Sequence, residues 1–296
     1  MLKIIPEDLL HSAPPALNAD LQIRFLGTAG FVLTGDQRTI VLDPFITRPS
    51  LSDTLRRPLV PNEEAIARHI PAADDVLIGH AHHDHVMDAP SLCHQTGARF
   101  IGGPDACNVA RAAGLGEGQI RETTGRETIE SGGGTIRGLP SRHGKVYLGR
   151  VAFAGNIPTP PRWPPRFYEL KHGLVLNWLV ELAGVRVMHI DSADFIPEEL
   201  AGIEVDVLCM CAIGRHHRPN FTEEAISLLR PKYVIPCHWD WFFDPFTAPS
   251  RLLPGVDLPG YIQEIEQAGA TPIVLPTGGI FGVAQSKGAQ DPGGRL

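Results

Sequence analysis

A chain of 296 residues with 43% hydrophobic and 20% charged side chains has the balance of an ordinary globular protein, not of a disordered or fibrous one. Its formal charge of −7 argues against a general role on nucleic acid, which draws on a surplus of lysine and arginine, though a local basic patch is compatible with it. No apolar run in the sequence approaches the length of a membrane span. Length alone leaves open one large α/β domain or two small ones, with ample chain for a buried core. The opening Met1-Leu2-Lys3-Ile4-Ile5-Pro6-Glu7-Asp8 lacks the apolar core of a signal peptide. Cys93, Cys107, Cys209, Cys211 and Cys237 are odd in number and scattered. They do not read as a disulfide framework and fit a reducing, cytoplasmic setting.

Residues 1–20 read as a lead-in broken at Pro14-Pro15. The runs Leu21-Gln22-Ile23-Arg24-Phe25-Leu26, Phe31-Val32-Leu33 and Thr39-Ile40-Val41-Leu42 predict a strand-and-hairpin opening that ends at Asp43-Pro44-Phe45. A proline-punctuated loop over 49–61 then leads to a helix capped by Asn62, with Glu63 and Glu64 in its first turn. The apolar Val76-Leu77-Ile78 predicts a strand over 75–79 that delivers His80-Ala81-His82-His83-Asp84-His85. Four of the thirteen histidines fall within six positions here, beside a carboxylate, in the pattern H-x-H-x-D-H. In extended backbone, side chains two apart leave on the same side, so His80 and His82 can close on one metal ion while His83 points away. Asp84 and His85 fall at the turn and can serve a second ion. Neutral imidazole and carboxylate suit Zn²⁺, with Mn²⁺ and Fe²⁺ as competitors.

This pattern resembles the metal-binding loop of the metallo-β-lactamase superfamily of binuclear metal hydrolases. The resemblance implies a four-layer αββα sandwich of two mixed β-sheets, read here as a single domain over 21–284. Asp43, in an early Asp-Pro, would orient a histidine from outside the ligand shell, or else cap a turn.

Further along, 88–95 reads as a helix, 99–101 as a strand and 104–113 as a helix with proline in its first turn and Gly114 at its end. This alternation points independently to a layered α/β protein. Short glycine-separated strands follow over 119–153, and one of them runs into His143 at a turn, where the resemblance places the third ligand of the first metal. Residues 155–173 hold five prolines among Trp163, Phe167 and Tyr168, which reads as a wall or lid over the site or as a loop packed on an outer helix. A hairpin over 174–190 ends in Ile190-Asp191-Ser192. That triplet resembles the family's Gly-Asp-Ser/Thr corner without its glycine, and Asp191 would bridge both metals. A helix over 197–202, a strand over 205–212 and a helix over 223–229 precede the strand Tyr233-Val234-Ile235-Pro236, which delivers Cys237-His238. His238 resembles the family's final ligand, with His216 and His217 as rivals. A helix over 261–267 and a strand over 273–275 complete the body, and 285–296 reads as a mobile polar tail.

The resemblance thus implies two divalent metal ions, one on His80, His82 and His143 and one on Asp84, His85 and His238, with Asp191 between them. Such a centre lowers the pKa of a metal-bound water from about 16 toward 7, with Asp84 placed to hold or accept a proton, and hydrolysis is the expected reaction. The bridging aspartate, His82 where flavodiiron members carry glutamate, and the Val-Ile-Pro-Cys-His ending resemble the branch containing L-ascorbate-6-phosphate lactonase and N-acyl-phosphatidylethanolamine-hydrolysing phospholipase D. For a small-molecule substrate, Trp239, Trp241, Phe242, Phe243 and Phe246, with Trp163, Phe167 and Tyr168, would line an apolar pocket for an ester, lactone or amide, or in part belong to the core. Arg142, Lys145, Arg215 and Arg218 near the ligands would instead hold phosphate and make a phosphodiesterase, with His216 and His217 as substrate contacts if not ligands. A non-catalytic metal-binding protein is the third reading and predicts a saturated site. A homo-oligomer is compatible with all three.

Overall fold

The computed structural model describes residues 3–11 and 19–284. The break at Pro14-Pro15 and the tail over 285–296 lie outside the described residues. The first sheet opens with β1 (Leu21–Gly27), β2 (Gly30–Gly35) and β3 (Arg38–Leu42), an antiparallel meander in which Phe25 faces Phe31 and Phe31 faces Leu42. The chain continues through α1 (Leu51–Arg56), α2 (Glu63–His69), β4 (Asp75–Ile78), α3 (His83–Val86), α4 (Ala89–Thr96), β5 (Arg99–Gly102), α5 (Pro104–Ala112) and β6 (Ile120–Glu122). β3 through β6 are parallel neighbours. All four residues of β4 are buried, because helices on one face and the second sheet on the other leave a parallel strand no wet side.

The second sheet repeats this plan. β7 (Thr128–Ser131), β8 (Gly134–Pro140), β9 (Leu176–Leu182) and β10 (Val185–Ile190) form an antiparallel meander. After α6 (Pro197–Leu200) come β11 (Val207–Cys211), α7 (Phe221–Leu229), β12 (Tyr233–Cys237), α8 (Leu258–Gln267) and β13 (Thr271–Pro272), with β10 through β13 parallel. β14 (Ile280–Val283) crosses back to pair with β1. The sheet orders are therefore β14-β1-β2-β3-β4-β5-β6 and β13-β12-β11-β10-β9-β8-β7, seven strands each among the described residues. α4 and α5 cover the first sheet and α6, α7 and α8 the second, which makes the expected four-layer αββα sandwich. Between the sheets, Phe25 packs on Trp239 at 5.8 Å and Phe31 meets His189 edge-on at 5.6 Å between ring centres.

Asn62 caps α2 as expected, its side chain accepting from the Ala65 N–H at 3.1 Å. Two expectations are overturned. The proline-punctuated stretch over 49–61 contains α1, whose first turn is capped by Ser50 accepting from the Asp53 N–H. The apolar run 273–275 is buried but is not a strand; pairing stops at Thr271–Pro272, and the strand that follows is β14. The lead-in is packed where it is described: Ile5 is buried and Ile4 bridges to Arg251.

Away from the strand ends that carry the histidines, Asp75 ties the sheets together. Fully buried on β4, it takes Arg99 Nε at 2.6 Å, Arg38 Nη2 at 3.3 Å and the hydroxyl of Ser131 on β7. Asp75→Ala strands those donors, and urea unfolding should show a loss of about 2–4 kcal/mol.

Candidate metal centre

Side chains from both sheets meet where their strands end. β3 stops at Asp43, held in the left-handed region at φ 42. Its Oδ1 accepts from the Gly79 N–H at 2.7 Å and its Oδ2 lies 2.8 Å from His85 Nδ1. One carboxylate thus fixes both the start of the histidine loop and one of its rings. The turn anticipated at Asp84-His85 is a single helical turn, α3, entered at His82. From the second sheet Asp191 follows β10 directly, and its Oδ2 lies 2.5 Å from His80 Nδ1. A Cβ at Gly79 would sit 2.1 Å from that same oxygen, so glycine is required there. His143 follows β8. Its ring is oriented by Nδ1 against the Gly144 carbonyl at 2.7 Å, while the Gly144 N–H donates to the Ser192 hydroxyl. His238 follows β12 at φ 54, its N–H bonded to the Thr28 carbonyl. Behind it, buried Asp240 accepts from Thr28 N at 2.6 Å and pairs with buried Arg48 at 2.8 Å. Arg48 also donates to the carbonyls of Leu26 and Phe45.

Ligand-capable atoms fall into three groups, each within 4.8 Å: His80, His82 and His143; His80, His85 and Asp191; Asp84, His85 and His238. These are the seven side chains the sequence singles out. His80 Nε2 lies 2.9 Å from His82 Nδ1, and Asp84 Oδ2 lies 3.3 Å from His238 Nε2. His82 Nε2, Asp191 Oδ1 and His238 Nδ1 are buried with no hydrogen-bond partner. Orphaned lone pairs of this kind cost about 1–3 kcal/mol each, and divalent cations fit a donor set with such vacancies. Burial, with the neighbouring imidazoles, holds His80, His82 and His85 well below the ordinary histidine range, in the neutral ligating form. Burial pushes Asp84 up, but His85, His83 and His238 outweigh it and keep the carboxyl well below its usual range. Burial and then Asp191 push Asp43 well above it.

A cavity of about 380 Å³ opens onto this cluster. Its wall comes from Phe167, Trp241, Phe242 and Phe243, all anticipated, and from Leu51, Leu55, Tyr147 and Phe153, which were not. Among the described residues no lysine or arginine lines it. His83 stands in the wall, edge-on to Phe45 and Phe167. Several expected contacts lie elsewhere. Trp239 is core, fully buried on Phe25 with Nε1 donating to the Pro236 carbonyl. Trp163 packs half-buried against the core outside the cavity, Tyr168 is exposed beside Phe167, and Phe246 stacks with His69. Arg215 is buried against Glu264 and Tyr261, and Arg218 pairs with Asp194 and Glu224 over Phe195. Arg215 and His216 of the 3₁₀ turn Arg215–His217 lie beside α7 and α8, the His216 and His217 rings sit 4.1 Å apart, and neither histidine joins a ligand group among the described residues. Sequence reading missed His172, which stacks on His143 at 5.5 Å and likewise turns Nδ1 to the next glycine's carbonyl. The signal was available: Lys171-His172-Gly173 repeats the basic-His-Gly order of Arg142-His143-Gly144.

Two facing mixed sheets with clustered histidines and aspartates at their strand ends define a protein of the metallo-β-lactamase fold. The chain belongs to the family described as the β-lactamase superfamily domain, whose profile matches residues 22–238. It is 25% identical over 239 residues to a UPF0173 metal-dependent hydrolase of Anaeromyxobacter sp. (strain K), covering 77% of this chain and 78% of that one. With a counterpart from Desulfitobacterium hafniense it shares 27% over 227 residues, covering 75% and 84%. Among solved structures it is similar in fold to Igni18, a metallo hydrolase from the archaeon Ignicoccus hospitalis, with 21% identity, 88% and 97% of the two chains covered and a TM-score of 0.59. The fold is also that of an isothiocyanate hydrolase from Delia radicum gut bacteria, with 13% identity, 90% and 100% coverage and a TM-score of 0.56.

Gly79→Ala forces Asp191 away, so metal content after purification should fall at least severalfold while circular dichroism stays native. In chelator, the unfolded chain protonates its histidines at pH values where the buried rings stay neutral. Stability should therefore fall as pH drops below about 6.5, opposed by Asp43 and Asp88, whose carboxyls burial raises, and urea titrations between pH 5 and 8 read the balance directly.

Proposed function

We propose that this protein is a metal-dependent hydrolase acting on neutral carboxylic esters or lactones that carry an apolar group. The observation that carries the reading is the cavity over the histidine–aspartate cluster, aromatic and aliphatic on its sides and without a cation. His80, His82 and His143 would hold one divalent ion, and Asp84, His85 and His238 a second, with Asp191 between them; Zn²⁺ suits the donors best, ahead of Mn²⁺ and Fe²⁺. When bound, such ions supply Lewis acidity and lower the pKa of water. The chain's own groups do the rest. Asp43 fixes the His85 ring, Asp84 beside His238 holds or accepts the proton, and Phe153, Phe167, Trp241 and Phe242 seat the apolar group and keep out bulk water. The metal-dependent hydrolases to which the chain is similar support the reaction class.

A phosphodiester finds less support, because Arg215 and Arg218 lie away from the cavity, engaged by carboxylates, and no lysine or arginine among the described residues lines its wall. For the same reason the likeness to the lactonase and phospholipase branch is carried here only as far as acyl chemistry. A purely binding role would leave an open cavity at the ligands without use. We also read 21–284 as one domain and place it in a reducing compartment, supported by five buried free cysteines. No helix among the described residues is long and apolar enough to cross a membrane.

Metal analysis with a panel of p-nitrophenyl esters, lactones, thioesters and bis(p-nitrophenyl) phosphate tests this. Acyl substrates should exceed the phosphodiester by at least about a hundredfold in kcat/KM, about 2.7 kcal/mol of transition-state discrimination. A preference for the phosphodiester sinks the reading. His82→Ala and Asp191→Ala should each lower kcat/KM by roughly a thousandfold or more with the fold retained, and near-normal turnover in either refutes the site.

A further inference from the structure

The protein is acidic as a whole, yet one face is neither acidic nor covered. Eight large hydrophobic side chains are exposed among the described residues; four of them, Leu51, Leu55, Tyr147 and Phe153, line the cavity, and two more, Leu148 and Tyr168, adjoin its lining residues Tyr147 and Phe167 in the chain. Leu148 is 93% exposed, at the tip of the loop that follows His143. Burying such side chains in water-free surroundings is favourable, and a soluble surface has no internal reason to cluster them.

Charge is distributed to match. Segments 49–61 and 141–173 carry eight lysines and arginines against two carboxylates, Asp53 and Glu169, a local charge of +6 in a chain of −7. The cations interleave with the apolar tips: Arg56 follows Leu55, Lys145 and Arg150 flank Tyr147-Leu148, and Lys171 Nζ lies 5.9 Å from the centre of the Phe153 ring. Arg56, Arg142, Lys145, Arg150 and Arg162 are exposed, and no carboxylate pairs with them among the described residues. On the flanks of the sandwich Arg99, Arg111, Arg126 and Arg230 are paired, and Arg121 and Lys232 stand apart as exposed cations without an ion pair among the described residues. A cluster of unpaired cations is self-repelling, and it persists around the one apolar rim.

We propose that the cavity mouth is a docking face for an anionic lipid bilayer, with Leu148, Tyr147, Leu55 and Leu51 entering the acyl boundary and the surrounding cations meeting headgroup anions. Aliphatic and aromatic tips ringed by lysine and arginine match the two layers of such a surface. A nucleic acid would satisfy the cations but leave Leu148 and Leu55 in water. The inference concerns binding alone and does not rest on the hydrolase reading.

Flotation of the whole protein with vesicles of phosphatidylcholine, with and without about one-third phosphatidylglycerol, tests it. Each cation near an anionic surface strengthens partitioning about fivefold, so the wild type should favour the anionic vesicles at least tenfold, and added salt should erode the preference. Leu148 has φ 61, a conformation that aspartate accepts readily. Leu148→Asp should thus keep the native circular dichroism and lose about tenfold or more in partitioning, as should Lys145→Glu combined with Arg150→Glu. Equal partitioning onto both vesicle types, or wild-type binding by Leu148→Asp, overturns the proposal. Self-association without lipid that Leu148→Asp abolishes also overturns it, and gives the face to a second copy of the chain.

Discussion

The approach of Asp191 to the backbone of Gly79 is the contact on which the centre depends. One partner ends a strand of the second sheet, the other ends a strand of the first, and the space between them is smaller than a methyl group. Because nothing projects from Gly79, its N–H can be taken by Asp43 from below while Asp191 reaches His80 from above. Everything else at the site is arranged to hold that meeting. Asp43 and His238 both sit in left-handed backbone, which costs a non-glycine residue about 1–3 kcal/mol. Each is held there by a backbone bond to a neighbouring strand end, Asp43 to Leu77 and His238 to Thr28.

Electrostatically the centre brings several unsatisfied lone pairs together in one place. Neutral imidazoles lie within contact of one another, and several lone pairs have no partner in the protein. The surrounding fold offsets the cost of holding these groups together. Arg48 and Asp240 illustrate the offset. A buried ion pair is seldom a net source of stability, but this one ties Leu26, Phe45 and Thr28 to the segment carrying His238. Its product is position.

Much of this was legible in the chain. The H-x-H-x-D-H run is local, so its spacing can be read directly, whereas His143, Asp191 and His238 stood out through the family resemblance, each after a run that reads as a strand. What escaped was set by tertiary context. Trp239 lies next to His238 in sequence, but the left-handed backbone at His238 ends the strand's alternation, and the Trp239 side chain goes into the core against Phe25. Arg215, His216 and His217 have the composition of a binding loop, yet Arg215 and His216 lie beside α7 and α8, and neither histidine joins a ligand group among the described residues. β14 could not be assigned to the first sheet because its pairing with β1 spans nearly the whole chain, and no local pattern encodes a partner that distant.

The sharing of the centre between two sheets also has a consequence for biosynthesis. His80 through His85 leave the ribosome early, whereas His238 lies at the end of β12, and at about 5–20 residues per second it emerges roughly ten to thirty seconds later. During that interval the nascent chain displays a histidine-rich loop without the groups that complete it. The seven side chains can therefore come together only after β12 has been made and paired.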